Sequence, residues 1–344
     1  MSAAPGAPMS STPTPRSSSC RARSTGSPRS AGPANSLMGV VVAALAPVFL
    51  LIVVGVGLRH SLIRLDTQWH GLERLTYYVL FPALLVQSLV KADLAKVPVA
   101  GVGGALFLAA LAMSLLCLAL RPFLTRQGID GPAFTSIFQG ATRWQTYVGL
   151  SVSGSLFGPT GLASASVAMV AIIPLVNVLS VSVLAHYASP TRRSIGEIIA
   201  TIGRNPLIWA CVVGLALNVA HLPLPKLWHD AADALGQASL PIGLLVTGAG
   251  LHFEGLRRAG AAAALGVVLK LVLMPIMAVG LAGWFGVTGS SLVVVAICAA
   301  VPTSSSAYVL AKQMGGDAPL LAQIISLQTV LAALTMPLAI AWAS

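Results

Sequence analysis

Charged residues are scarce in this chain. Asp, Glu, Lys and Arg make up 8% of its 344 residues, whereas hydrophobic residues make up 56%. A soluble domain carries about 25% charged residues, so the composition excludes an ordinary soluble fold and predicts an all-α polytopic membrane protein. The apolar runs are of helix length and lack the alternation of short strands, which disfavours an outer-membrane barrel.

Carboxylates are the rarest charged groups, and none falls in the interior of an apolar run. The nine acidic residues are Asp66, Glu73, Asp93, Asp130, Glu197, Asp230, Asp233, Glu254 and Asp317. All of them fall in loops or at the ends of apolar runs. Proton relays and sodium sites within membranes usually depend on Asp or Glu, so the sequence lacks the usual coupling group of an ion-driven carrier.

Cysteine is also scarce, and the basic residues are dispersed. The four cysteines lie too far apart for a disulfide framework or a zinc motif, and we expect neither a metal nor a cofactor. The net charge is +11, but the basic residues are spread over short loops and one tail instead of forming a stripe interleaved with aromatics. This pattern favours contact with a lipid bilayer over binding of nucleic acid.

Residues 1–37 are rich in Ser, Pro, Ala and Arg and contain no apolar run. Such a composition predicts a disordered N-terminal tail. The apolar run that begins at Gly39 continues as a full span, unlike the short apolar core of a signal peptide. Because Met38 stands at the start of the hydrophobic part, a second hypothesis is that the tail comes from an over-long start assignment.

Apolar runs predict ten transmembrane helices. They cover roughly residues 39–59, 73–91, 98–120, 132–157, 160–187, 198–220, 231–251, 259–286, 289–311 and 319–343. The loops after the odd-numbered spans hold eleven Lys and Arg residues, and the loops after the even-numbered spans hold three. Cytoplasmic loops carry the excess of basic residues, so we expect the odd loops in the cytoplasm and both termini outside it.

The sequence repeats itself at a shift of 159 residues. VVGVGL at 53–58 then aligns with VVGLAL at 212–217. The aligned prolines are Pro47 with Pro206 and Pro82 with Pro241. The predicted units are a first five-helix repeat at 38–188 and a second at 189–344. Because five is odd, the second unit enters the membrane from the opposite side, as in many secondary transporters. Chance similarity of apolar sequence is the alternative, and the matched prolines disfavour it.

The fourth span of each unit is polar in its middle. The first reads FTSIFQGATRWQTYVGLSVSG (134–154), and the second reads SLVVVAICAAVPTSSSAYVL (291–310). Backbone without helical partners is tolerated at membrane depth only where protein or a water-filled cavity covers it. We therefore predict two broken helices that cross near the midplane, where half-helix N-termini offer N–H groups to an anion.

Arg143 lies in the first of these polar stretches. A cation at mid-span costs at least about 2.5–3.5 kcal/mol, and no carboxylate of a span interior is available to pair with it. An anionic substrate is the missing partner in one interpretation. In the other, Arg143 snorkels or binds carbonyls of the broken helix. Lys270, in the eighth span, is a second buried cation for which a structural role is at least as well supported.

The motifs that surround these features resemble the auxin efflux carrier family, in its bacterial branch, over residues 38–343. The phrases that carry the resemblance are APVFLLIVVGVGLR, FQGATRWQTYVGLSVSGSLFG, AIIPLVNVLSV, ASLPIGLLVTGAGL, AVPTSSSAYVLAKQMGGD and QTVLAALTMPLAIA. The resemblance implies ten helices in two inverted repeats with broken crossing helices 4 and 9, a fold like that of the bile-acid sodium symporters. It also implies elevator-type alternating access in a bacterial inner membrane.

Family substrates are carboxylates, namely auxin and small dicarboxylates such as malonate or malate. Plant members carry Asn-Pro at both crossings, whereas the first crossing here reads Arg143-Trp144-Gln145 and only the second has a proline. This departure argues against auxin specificity and leaves carboxylate transport standing. Asn177 matches the polar residue of the family's fifth span; its other interpretation is helix–helix contact. The predicted substrate-binding residues are Gln139, Thr142, Arg143, Gln145, Asn177, Pro302, Thr303, Ser304 and Ser305.

These observations predict a secondary transporter that exports a small organic anion, with spans 1, 2, 6 and 7 as a scaffold that forms a homodimer. The alternative is a sodium- or proton-coupled carboxylate importer of the bile-acid symporter type. A membrane enzyme with Ser304–Ser306 as nucleophiles is disfavoured, because no His or acid lies at span depth to activate a hydroxyl. A channel would be recognised by continuous conductance.

Overall fold

The computed structural model describes residues 33–91, 98–188, 206–221, 225–253 and 260–344. Most of the predicted N-terminal tail lies outside these ranges. The start of the predicted sixth span also lies outside them. So do several residues used to assign the sides of the membrane, namely Lys96, Arg192, Arg193, Arg204, Arg257 and Arg258.

Within the described ranges the chain is helical, and it contains no strand. The α-helices are α1 (Pro33–Ser61), α2 (Asp66–Leu75), α3 (Phe81–Val90), α4 (Val99–Arg126), α5 (Gly131–Thr142), α6 (Thr146–Tyr187), α7 (Pro206–Ala220), α8 (Lys226–Ala249), α9 (Ala261–Val268), α10 (Met274–Trp284), α11 (Gly289–Ala300), α12 (Ser306–Met314) and α13 (Ala318–Ala343). Two π-helical turns, π1 (Thr76–Leu80) and π2 (Leu269–Leu273), join α2 to α3 and α9 to α10.

Five segments of the described chain are long and apolar enough to cross a membrane. They are Gly39–Ser61, Val99–Arg126, Gly131–Tyr187, Ala261–Trp284 and Ala318–Ala343. Two shorter apolar helices, Pro206–Ala220 and Gly289–Ala300, accompany them. These helices establish a multi-pass membrane protein, as the composition predicts.

The boundary between the predicted fourth and fifth spans is a kink inside α6. At Gly158 the backbone has φ 57° and ψ −141°, while the helix continues on both sides. A positive φ of this size is accessible mainly to glycine, and Pro159 follows it. The loop predicted at residues 158–159 is therefore a single bent position.

Two helices end abruptly in the interior, and each resumes after a short extended segment. The first break covers residues 143–145, between α5 and α6, and the second covers residues 301–305, between α11 and α12. Arg143 has φ −75° and ψ 157°, and Val301 has φ −65° and ψ 148°, so both leave the helical region. The structure thus has the two interruptions that the polar residues predicted.

A single buried side chain of α13 joins the two breaks. The Gln328 Nε2 group donates to the carbonyl oxygens of Gly140 at 2.8 Å and Gly266 at 3.0 Å. Its Oε1 atom accepts a 2.8 Å hydrogen bond from the N–H group of Thr303. The Thr303 hydroxyl in turn donates to the carbonyl of Gly140 at 2.8 Å. Backbone groups that the breaks would leave without partners are thereby satisfied.

Helices α1 and α8 approach each other at two glycines. A Cβ atom on Gly55 would lie 2.2 Å from the carbonyl oxygen of Leu245, and one on Gly248 would lie 1.9 Å from the carbonyl oxygen of Ile52. No side chain fits at either position without moving a backbone. Small residues allow close helix contacts of this kind within membranes.

We expect Gly55→Ala to destabilise the protein by about 1–3 kcal/mol, because the added methyl group overpacks this contact. Gly57 is the matched control, since a Cβ atom there meets nothing within 4 Å. Gly57→Ala should leave stability unchanged or raise it, because Ala is the better helix former. Thermal unfolding of the purified variants in detergent checks both expectations, and equal unfolding temperatures for the two would contradict the described packing.

Gln328→Leu should destabilise the protein by about 1–3 kcal/mol for each buried polar group that it leaves unpaired. The control is Gln323→Leu on the same helix, where a half-buried side chain makes no hydrogen bond within the described residues. The yield of monodisperse protein and the unfolding temperature are the measurements. If both substitutions have the same effect, Gln328 does not hold the crossing together.

Candidate functional site

A cavity of about 560 Å³ lies where the two breaks meet α2, π1, α6 and α8. The first break contributes Arg143 and Gln145, and the second contributes Ser304 and Ser305. The other polar residues in its wall are His70, Glu73, Tyr77, Tyr78, Thr146, Tyr147, Asn177, Thr247, Ser306 and Gln313. The cavity thus combines a cation with several hydroxyl and amide groups.

Five of the nine predicted binding residues line this cavity. They are Arg143, Gln145, Asn177, Ser304 and Ser305. The other four, which are Gln139, Thr142, Pro302 and Thr303, lie buried outside the lining. The structure therefore divides the predicted set into residues that face the cavity and residues beside it in the breaks and their flanking helix.

The residues outside the lining mostly serve the backbone. The Thr142 hydroxyl donates to the carbonyl of Phe138 at 2.8 Å, and Thr303 makes the crossing bonds described above. Gln139 differs from them, because both polar atoms of its fully buried amide lack a hydrogen-bond partner among the described residues.

Arg143 is held at the cavity by the way in which α5 ends. Its N–H group still bonds to the carbonyl of Gln139 at 2.9 Å, while its extended backbone turns the chain out of the helix. The Nη2 atom donates to the Ser306 hydroxyl at 3.2 Å. The Nη1 atom is buried and has no partner within the described part of the chain. One face of the guanidinium group therefore has unused donors.

The remaining polar groups of the cavity form short local networks. Ser304 and Ser306 share a 2.8 Å hydrogen bond between their hydroxyls, and the Ser305 hydroxyl is buried without a partner among the described residues. On the facing wall, the Gln145 amide donates to the Thr247 hydroxyl at 3.1 Å. These contacts connect the first break to α8 and the second break to α12.

The cavity wall includes a carboxylate, Glu73, that the sequence does not predict to lie there. Glu73 was assigned to the edge of the second span, but the helix begins at Asp66, so Glu73 lies within it and reaches the cavity wall. Its carboxylate lies 3.5 Å from the Nδ1 atom of His70, one turn earlier. Within the described ranges, no ion pair joins Arg143 to an acid.

Aromatic residues are the functional-site candidates that sequence reasoning missed. Tyr77, Tyr78, Trp144 and Tyr147 all contribute to the wall. The ring of Tyr147 packs on Phe81 at 4.5 Å between centroids. Trp144 and Tyr147 lie close in sequence to the recognised Arg143 and Gln145, whereas Tyr77 and Tyr78 do not. A tyrosine in an apolar run is not by itself a sign of a cavity.

The geometry suits binding of an anion more than coordination of a metal ion. A guanidinium group with unused donors binds carboxylates through strong, charge-assisted hydrogen bonds, and nearby hydroxyls add neutral donors. Among the described residues, no three His, Cys, Asp or Glu side chains come together as a metal site requires.

Two comparisons with known proteins match the chain to membrane transport proteins. The family model described as "Membrane transport protein" matches residues 40–340. An "Uncharacterized transporter" of Methanothermobacter thermautotrophicus (strain Delta H) is 26% identical over 274 residues, which cover 78% of this chain and 86% of that protein. The match to the family model, over residues 40–340, extends across both breaks and includes every residue of the cavity wall.

The resemblance to the auxin efflux carriers is thereby confirmed, and the chain belongs to this family of multi-pass membrane transport proteins.

Proposed function

We propose that the protein is a secondary carrier that exports a small organic carboxylate across a bacterial inner membrane. Malonate, malate and an auxin-like acid are the substrate types to consider. The observation that carries the proposal is Arg143, which lines the cavity at the first break with one buried nitrogen that has no partner among the described residues.

The substrate class follows from the charge and size of the cavity. Arg143 supplies a cation, and Ser304, Ser305 and Asn177 supply neutral donors within the same wall. The volume of about 560 Å³ falls within the range of about 300–1,000 Å³ that is typical of small-molecule sites.

The positions of the breaks support the inverted repeat. Ala300 follows Thr142 by 158 residues, and Ser306 follows Thr146 by 160. Both differences agree with the 159-residue shift of the sequence repeat. The segment Gly131–Tyr187 holds 57 residues around the kink at Gly158, which is enough for two crossings of about 20 residues each. Ten spans, with both termini outside the cytoplasm, accommodate these features.

The proposed movement is of the elevator type. Helices α1, α2, α3, α7 and α8 correspond to the four spans assigned to the scaffold and to a homodimer contact, and the others carry the two breaks. The cavity lies between these groups, since its wall takes Glu73 and Thr247 from the first and Arg143 and Ser305 from the second. A rigid movement of one group against the other then exposes the site to alternate sides.

Export follows from the membrane potential. In a cell that is negative inside, each negative charge that leaves releases about 2.3 kcal/mol per 100 mV, which is roughly a 50-fold concentration ratio. A carboxylate exporter therefore needs no sodium site.

Arg143→Ala should weaken binding of malonate or malate roughly 10- to 150-fold, because a hydrogen bond to a charged group contributes about 1.5–3 kcal/mol. Arg143→Lys retains the charge, and its affinity should lie between that of the wild-type protein and that of Arg143→Ala. Scintillation-proximity binding on purified protein is the measurement. The control is Arg126→Ala, which removes an exposed arginine at the end of α4. Unchanged binding by the Arg143→Ala protein removes this residue from the site.

Efflux of labelled malonate from proteoliposomes should accelerate when a potassium diffusion potential makes the interior negative. Replacement of sodium by choline on both sides should not change the rate, because no cation is needed to bind the anion. A rate that falls with sodium removal would support the symporter alternative instead.

A further inference from the structure

Lys270 is a buried cationic residue to which the proposed carrier gives no role. It is 0% exposed, and its Nζ atom has no hydrogen-bond partner among the residues that the structure describes. It lies in π2, within a span that is otherwise apolar. Single π-helical turns inside α-helices are frequent at functional sites.

The helices around Lys270 offer it no carboxylate. Those packed against π2 are α5, α9, α10, α11 and α13. Together they contain one titratable side chain, the thiol of Cys298 on α11. The acids just before α5 and α13, Asp130 and Asp317, are occupied at the helix starts, where each accepts a backbone N–H of its own first turn.

The other polar groups near these helices do not supply a counter-ion either. Arg143, which follows α5, hydrogen-bonds to Ser306, and the neutral amide of Gln328 bonds to backbone groups at the crossing. The amide of Gln139 on α5 is buried and unpaired among the described residues, so its oxygen can accept a hydrogen bond but cannot neutralise a charge. An ammonium group at Lys270 would be a buried charge without a partner, which is costly inside a membrane protein.

We propose that Lys270 is a proton-binding site of the transport cycle, and that one proton enters the cell for each anion that leaves. This inference rests on the proposed function. In the proposed cycle the amine is neutral in the conformation described, in which the cavity reaches the exposed His70 beside the loop assigned to the cytoplasm. In the opposite conformation the nitrogen lone pair takes a proton from external hydronium, leaving water, and the return movement releases that proton to cytoplasmic water.

This exchange agrees with the energetics of export. An anion that leaves and a proton that enters both move charge in the direction favoured by a negative interior. A buried lysine is a side chain that can gain and lose a proton near neutral pH, and among the described residues Lys270 is fully buried within a span.

The direct test measures proton binding without any substrate. Proteoliposomes adsorbed on a solid-supported membrane are subjected to pH jumps in buffer that lacks carboxylates, and the transient current is recorded. The wild-type protein should give a pH-dependent current. Lys270→Met and Lys270→Gln should lose it, whereas Lys226→Met, which replaces an exposed lysine at the start of α8, should retain it. Absence of the current in the wild-type protein, or equal currents in wild type and Lys270→Met, overturns the proposal.

Folding of the variants is checked separately. Lys270→Met should unfold at the same or a higher temperature than wild type, since it replaces an unpaired buried amine with an apolar side chain of similar length. A marked fall in unfolding temperature for both Lys270→Met and Lys270→Gln shows that the amine is structurally bonded, and this overturns the proposal.

A second measurement separates the proton site from the carboxylate site. Labelled malonate efflux is followed together with internal pH, reported by trapped pyranine, and one proton should enter per malonate. Malonate efflux without proton entry overturns the proton site and leaves carboxylate export standing. Substrate-free pH-jump currents that depend on Lys270, in a protein that moves neither malonate, malate nor an auxin-like acid, support the proton site and contradict the proposed function.

Discussion

The need to satisfy backbone polar groups in an apolar interior is the constraint on which this structure depends. A helix that stops inside the membrane exposes carbonyl and N–H groups that lipid cannot satisfy. Here two helices stop at the same place, and Gln328 together with Thr303 bonds the exposed groups across the gap. Because these bonds are made by protein, the adjoining residues are left to face a cavity.

That division of labour explains why the polar residues of the two breaks are not equivalent. Thr142 and Thr303 hydrogen-bond to backbone carbonyls, whereas Arg143, Ser304 and Ser305 line the cavity. The first group keeps the helices interrupted, and the second presents a cation and hydroxyls to a solute. A carrier of this design binds its substrate with the few residues that the backbone does not need.

Sequence reasoning reached the helical class, the membrane and the two breaks, because Arg143 and Pro302 are costly in an apolar run and therefore conspicuous. It did not separate cavity residues from backbone partners, since a residue's direction depends on where each half-helix stops, and that is set by tertiary contacts. Gln328 was missed because it is one amide in an apolar run whose partners come from three distant elements. The ten-span count and the inverted repeat remain predictions that the breaks support.

Glu73 was not predicted to line the cavity for a different reason. Hydropathy placed the start of the second span at residue 73, but the helix extends back to Asp66 through an amphipathic turn anchored by Trp69, which donates to the carbonyl of Ile63 at 2.6 Å. Polar residues at the apparent edge of the second span therefore line the cavity. The charge balance of the cavity is consequently one cation and one carboxylate, which a count of span-interior charges could not reveal.

The most direct measurement of the central claim is chemical access to the second break. In a background without the native cysteines, Ser305→Cys should react with a small anionic methanethiosulfonate, and malonate or malate should slow that reaction about tenfold or more at saturation. Ser153→Cys, at a buried position outside the cavity wall, should not react. An unreactive thiol at position 305, or one that no carboxylate protects, would contradict a polar anion site at the crossing.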